Sequence, residues 1–386
     1  MSSLSLSEPV LQGKEFEYLK TCISTGFISD GKYKLQFESK IKKITKSKYV
    51  LGCVNGTSAL HTALKLIDIT DKDEVIVPVI TFIAPINAVL YCGASPIFMD
   101  CDEFLNLNSA KLKEFLNKQT FFKNGYTWNK NTNKRIKALI IVHTFGNLAN
   151  LNEIIPILRS RNIYLIEDAA EAFGSYIKFN KQKKRHAGTI GRIGCFSFNS
   201  NKIITTAGGG ALTFKIKKDY LKAKKIIDQF KTNNIWYDHK NIGYNYRLNN
   251  INAAIGCAQL DSLNYFKKRK KLNYHLYKKY FLKISKKFKI LENPDYSDSN
   301  NWLIIVKVDF ISKKNFIQFI NRLLNKKINV RPIWKLNHLH PHTKNYQSYK
   351  IINALEVQYK AICLPSSSNL TEKNISYITG QFKCLV

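Results

Sequence analysis

The chain is short of acidic residues: 27 Asp+Glu stand against 61 Lys+Arg, a formal net charge of +34. It also lacks any Cys-x-x-Cys pair and any N-terminal stretch with a basic start and an apolar core. The eight cysteines (Cys22, Cys53, Cys92, Cys101, Cys195, Cys257, Cys363 and Cys384) are dispersed, most in apolar surroundings. They read as free thiols in a reducing compartment rather than as a disulfide framework. No secretion signal is visible at the start, so a cytoplasmic location is expected. No internal repeat is present. A basic excess marks nucleic-acid or anionic-membrane binders when it is gathered on one face or tail. Here it is scattered, with short clusters only at Lys181–Arg185 and Lys267–Lys271, in a sequence also rich in Asn and Ile. Compositional bias and an anionic small substrate account for it, and no nucleic-acid partner is expected.

From Val75 to Met99 there is no charged residue, long enough for a membrane span. Pro78, Pro85 and Pro96 interrupt the run, and Cys92-Gly93-Ala94-Ser95 reads as a turn. Strand, short helix and strand fit better, and no membrane partner is expected. With 386 residues, 45% of them hydrophobic, the chain can build a large domain and a smaller one.

Strand-like and helix-like runs alternate through the first two-thirds. Candidate strands are Tyr49–Val54, the two runs flanking Pro85–Cys92, Ala138–Val142, Tyr164–Ile166, Cys195–Phe198 and Ala211–Phe214. Candidate helices open at Gly56 and lie near Ser109–Asn117 and across Asn152–Ser160. The alternation predicts an α/β fold with a mostly parallel seven-stranded sheet, helices on both faces, and ligands beyond the carboxyl ends of the strands. A polar insertion, Phe121–Lys137, reads as a surface hairpin or loop. A Lys-rich helix at Phe266–Ser285, a strand-like WLIIVKV, a helix at Lys313–Asn325 and INVRPIW predict a small α+β domain. The expected division is residues 1–260 and 261–386.

Four features fall where strand ends converge. Asn55-Gly56-Thr57-Ser58 opens a helix, whose free N–H groups and hydroxyls suit a phosphate, although Thr or Ser there is more often an N-cap. Glu167-Asp168-Ala169-Ala170-Glu171 ends an apolar strand, where carboxylates are costly unless paired or functional; singly, Asp168 reads equally as a helix cap or metal ligand. Phe196-Ser197-Phe198-Asn199-Ser200-Asn201-Lys202 precedes a Gly208–Gly210 run. An amine among apolar and small residues is desolvated and gains nucleophilic character, whereas a lone lysine is ordinarily a surface residue. Gly243-Tyr244-Asn245-Tyr246-Arg247-Leu248 reads by itself as a loop. His338, His340 and His342 alternate, but Pro341 breaks the geometry and no partner ligand is adjacent, so no metal site is expected.

The order and spacing of ISDGKYKLQFE, VNGTSALHTAL, TFIAPINAV, VHTFGNLANL, LIEDAAEAFGS, GCFSFNSNKIITTAGGGAL and GYNYRLNNINAAIGCAQL closely resemble the DegT/DnrJ/StrS family of sugar aminotransferases. These are pyridoxal 5′-phosphate (PLP) enzymes of fold type I. RPIW and LPSS extend the likeness. The resemblance implies that Lys202 holds the cofactor covalently and shuttles the proton. It implies that Asp168 pairs with the pyridine nitrogen and that Glu171 stands where the family has His or Gln. Phe82 is placed over the ring, and Gly56, Thr57, Ser58 and Ser197 at the phosphate. Asn245 is expected to reach the phosphate from a neighbouring subunit, implying a homodimer with shared sites. Ser29, Asp30 and Gly31 match a loop bordering the sugar.

The implied reaction moves an amino group from L-glutamate to C4 of a nucleotide-linked 4-keto-6-deoxy sugar. With the insertion and the Glu171 variant, the pattern looks most like the branch making 4-amino-4,6-dideoxy-N-acetylglucosamine nucleotides for bacillosamine and legionaminic acid. The alternative is a perosamine synthase acting on GDP-4-keto-6-deoxymannose, and the non-enzyme alternative an inactive PLP-binding regulator. The family's dehydratases carry His where this chain has Lys202.

Overall fold

Runs buried along both faces set the frame. Val75, Ile76 and Val77 in the strand Asp73–Pro78, and Ile97, Phe98 and Met99 in Ser95–Met99, are wholly buried. Such strands need cover on both sides, which is the environment of a parallel sheet between helical layers. The structure, a computed structural model, describes residues 3–180, 183–233, 235–310 and 312–385. Its main sheet runs Tyr49–Cys53, Gly210–Phe214, Ile193–Ser197, Tyr164–Asp168, Arg135–Val142, Asp73–Pro78, Ser95–Met99 and Ser348–Tyr349. Pairing is parallel from Ile193–Ser197 through Ser348–Tyr349 and antiparallel on both sides of Gly210–Phe214.

The seven strands read from the sequence are therefore present, but the sheet has ten. Two more come from the polar insertion. Thr120–Lys123 and Tyr126–Asn129 pair antiparallel around Asn124-Gly125, both at positive φ as a tight hairpin turn demands, and Trp128 pairs with Arg135. The tenth, Ser348–Tyr349, comes from the C-terminal third and docks in parallel on Ser95–Met99. A two-residue strand leaves no periodic signal. The charge-free stretch is the strand–helix–strand unit Asp73–Pro78, Ala84–Tyr91 and Ser95–Met99. No helix among the described residues is long and apolar enough to cross a membrane.

A four-stranded antiparallel sheet, Lys289–Ile290, Ile304–Lys307, Ala361–Leu364 and Arg331–Pro332, forms the C-terminal unit. Its core joins Tyr277 and Phe281 of the long helix Leu263–Ile284 to Phe316, Phe319 and Leu323 of Lys313–Asn325. Of the Lys181–Arg185 cluster, residues 181 and 182 lie outside the described residues. Lys184 pairs with Asp298, and Arg185 donates to the Thr189 carbonyl.

One member of the other basic cluster is internal. Lys270 is 2% exposed and donates to the carbonyls of Trp302 (3.0 Å) and Ser366 (2.7 Å). Burial pushes its amine down from 10.5 to about 7. Between those values the native state holds fewer protons than the unfolded chain, so this group's contribution to stability rises with pH across that window. Urea unfolding should show the wild type gaining about 1–3 kcal/mol relative to Lys270→Met between pH 7 and 10. Parallel curves for the two proteins would contradict this.

Candidate active site

Four parallel strand ends and the turn before Gly210–Phe214 deliver polar groups to one cavity of about 890 Å³. That size suits a cofactor with part of a substrate. Tyr49–Cys53 leads into the helix Gly56–Leu66, whose first turn brings Gly56 and Thr57 to the wall. Asn55 caps this helix by accepting from the Ser58 N–H at 2.7 Å. The Gly56 and Thr57 N–H groups lie before the first intrahelical bond, and both residues line the cavity. A side chain at Gly56 would put Cβ 2.7 Å from the Ser197 Cβ, so glycine is what lets helix and Ser197 share one corner. Ser58 itself is buried beneath this turn and does not line the cavity.

The strand Tyr164–Asp168 alternates its two carboxylates between faces. Glu167 is structural: it accepts from the N–H groups of Gly188 (2.9 Å) and Ile190 (2.6 Å), from Gly191, and faces His143 Nε2 at 3.1 Å. Burial would raise its pKa, but His143 and these donors outweigh burial and hold the carboxyl below its usual range. Asp168, 4% exposed, turns to the cavity. Its Oδ1 accepts from the Ala170 N–H at 3.0 Å, and no donor among the described residues bonds Oδ2. Burial raises its pKa, opposed by Ala170, Lys202 and His143.

Glu171, also buried, accepts from the Phe145 N–H at 2.8 Å and lies 3.7 Å from Lys202 Nζ. Burial pushes its carboxyl up to about 7, against the pull of Lys202 and Phe145 and with Asp168 adding to the rise. Phe145 holds φ at 59°, a strained conformation for an aromatic residue. Its N–H thereby meets Glu171, while its ring stacks on Trp334 at 4.6 Å. Lys202, with its side chain 13% exposed, reaches the same wall, and its Nζ lies 4.1 Å from the centroid of the Trp302 ring. Ser197 and Gly208 also line the cavity, as does Phe82, which is 56% exposed, and Arg331 and Lys335 bring positive charge from the C-terminal unit. A Cβ added at Gly208 would meet nothing within 4 Å, whereas one added at Gly210 would lie 2.6 Å from the Asn55 carbonyl.

Within one chain the remaining sequence candidates sit elsewhere. Asp30 and Gly31 line a separate cavity with Arg247, and Asp30 pairs with Lys34 and Arg247. Ser29 is exposed, its carbonyl tied to the Asn250 N–H at 3.0 Å. The start of the helix Asn250–Asp261 thus anchors this loop away from Lys202. Asn245 is exposed and bridged to Asp228. His338 packs near Phe98, and no group of three metal-ligating side chains occurs among the described residues.

A carboxylate, a lysine amine, a glycine-cleared helix start and a hydroxyl around one cavity fit an anionic, ring-shaped carbonyl cofactor. With the sheet topology, they define the class as a PLP-dependent enzyme of fold type I. The sequence profile of the DegT/DnrJ/EryC1/StrS aminotransferase family matches residues 9–383. The chain belongs to this family of PLP-dependent sugar aminotransferases. It is 35% identical to the GDP-perosamine synthase of Escherichia coli O157:H7, over 98% of this chain and 97% of the relative. It is 30% identical to the GDP-perosamine synthase of Vibrio cholerae, over 97% of each. Among solved structures it superposes on Helicobacter pylori PseC, an aminotransferase involved in pseudoaminic acid biosynthesis, with a TM-score of 0.87, 22% identity and 98% of both chains covered. That last likeness is one of fold.

Sequence reading did not single out Phe145, Trp302, Arg331 or Lys335. All four come from segments read as strands, loops or motif fragments, where nothing local shows which side chains turn inward.

The Glu171 value fixes a sign. Between pH 4.5 and about 7 the native carboxyl keeps a proton that the unfolded chain releases, so its contribution to stability falls as pH rises. In cofactor-free protein, Glu171→Gln should remove roughly 1–3 kcal/mol of this pH dependence, measured by urea unfolding from pH 5 to 8. An unchanged slope would place the Glu171 titration elsewhere.

Proposed function

We propose that the protein transfers an amino group from L-glutamate to C4 of GDP-4-keto-6-deoxymannose, giving GDP-perosamine. The carrying observation is the meeting of Lys202, Asp168 and Glu171 in one buried cavity. The substrate follows from relatives of 35% and 30% identity named GDP-perosamine synthase, each aligned over nearly the whole chain. These names favour the GDP-linked mannose derivative over the N-acetylglucosamine derivative of the bacillosamine and legionaminic acid branch. The product would feed a cell-surface polysaccharide from the cytoplasm.

When bound, PLP supplies an aldehyde that accepts the amino group and a ring that draws electrons from the reacting carbon. In this reading the Lys202 amine anchors that aldehyde and afterwards carries a proton on Nζ to and from the substrate carbon. The Asp168 carboxylate, whose Oδ2 bonds no donor among the described residues, keeps the ring nitrogen protonated. Gly56 and Thr57 N–H groups and the Ser197 hydroxyl hold the phosphate, with Phe82 against the ring. Ser58 supports this turn from below. Arg331 and Lys335 favour a dicarboxylate donor and a nucleotide diphosphate. Ser29, Asp30, Gly31 and Asn245 are assigned to a partner's site, which makes the working unit a homodimer. In the same reading the chain divides at residues 1–260 and 261–386, with Ser348–Tyr349 of the second span joining the sheet of the first, and both spans contribute lining residues to the cavity.

Incubation with PLP, L-glutamate and either GDP-4-keto-6-deoxymannose or UDP-2-acetamido-4-keto-2,6-dideoxyglucose, read by mass and NMR, tests the substrate. Amination of the GDP sugar alone is expected. Amination of the UDP sugar alone would overturn the perosamine assignment and leave the family activity intact. Lys202→Ala should lose turnover and the absorbance near ~420 nm that marks a lysine-bound cofactor. A variant that kept both would end the proposed role of Lys202.

A further inference from the structure

Trp302 is buried, at 3% exposure, yet its ring faces the cavity. It meets the site lysine at two points. The indole Nε1–H donates to the carbonyl of Asn201, the residue before Lys202, at 2.6 Å. The ring face lies 4.1 Å from Lys202 Nζ at the other end of that side chain. The indole thus brackets the lysine from its main chain to its amine.

The tryptophan is itself fixed by polar bonds. Its backbone N–H donates to Asn300 Oδ1 at 2.9 Å, and Asn300 Nδ2 donates to the carbonyls of Glu171 and Phe173, both at 2.9 Å. Its carbonyl accepts from the buried Lys270. Asn301, between the two anchors, holds φ at 50° and so turns the chain sharply there. One short segment from the C-terminal unit therefore links Glu171 and the indole, which lie 3.7 Å and 4.1 Å from the lysine amine. Simple packing would fill this space without directing Nε1 at Asn201 or the ring face at Nζ.

We infer that Trp302 is a positioning residue for Lys202, whose indole holds the amine in the cavity whenever that amine is not bonded to the cofactor. This rests on the aminotransferase reading, because only such a cycle frees and recaptures the amine. An aromatic face attracts the ammonium form and leaves the neutral amine nearly indifferent. The other titratable groups near Nζ are Glu171 at 3.7 Å and Asp168, whose carboxyl also feels His143, and Arg331 and Lys335 line the same cavity.

The test uses cofactor-free full-length protein, so it does not depend on turnover. Reductive methylation with formaldehyde and a borane is followed at Lys202 by peptide mass at one fixed pH, with the other lysine peptides as internal standard. In Trp302→Leu the rate of labelling at Lys202 should rise about 2- to 10-fold relative to wild type, because the amine is no longer held against an aromatic ring. Trp302→Phe, which keeps an aromatic face on a smaller side chain, should recover at least half of that change, whereas greater exposure alone would leave the two variants alike. If Trp302→Leu does not fold, Trp302→Met carries the same expectation. Equal rates for wild type and the non-aromatic variant would overturn the proposal, as would a Trp302→Phe rate equal to that of Trp302→Leu. A wild type that binds no PLP would instead overturn the underlying reading, a separate measurement on the same preparation.

Discussion

Placing Asp168, Glu171 and Lys202 around one buried cavity is the constraint from which the rest of the site follows. Two carboxylates and one amine cannot be drawn out of water together unless each finds a counter-charge or a donor. The structure answers locally for Glu171, through the Phe145 N–H and the Lys202 amine. It answers only in part for Asp168, whose Oδ2 bonds no donor among the described residues. A strained Phe145 and a positive-φ Asn301 are both accounted for by this demand, since each turns a group toward the charged centre. Burial lifts both carboxyls, so each gains from positive charge brought into the cavity.

The main-chain scaffold was legible because it is periodic. Strands such as Arg135–Val142 and Tyr164–Asp168 are short apolar runs bounded by turn residues, and helices such as Lys313–Asn325 carry a clear apolar stripe. The helix start at Gly56 and the Glu167–Glu171 run were legible because polar residues there conflict with burial. Which of the adjacent carboxylates serves structure was not: only the fold shows three backbone N–H groups converging on Glu167 and leaving Asp168 to the cavity. The wall built by Trp302, Arg331 and Trp334 was equally hidden, because it depends on how a distant segment docks. The tenth strand, Ser348–Tyr349, was invisible for the same reason.

The loop Ser29–Gly31 and Asn245 lie on a face of the molecule that carries its own cavity, with Arg247 joining them through Asp30. They do not line the cavity that holds Lys202. The basic excess takes on a chemical meaning at the cavity, where Arg331 and Lys335 face the space that an anionic nucleotide sugar would enter. Elsewhere the cations largely serve the surface or, as with Lys270, internal carbonyls.

Everything turns on which amine meets the cofactor. Loading the protein with PLP, reducing it with borohydride and locating the added pyridoxyl mass among the many lysine peptides answers this directly. The label should be found on Lys202 and nowhere else in stoichiometric amount. Stoichiometric label on any other lysine, with Lys202 unmodified, would contradict the account.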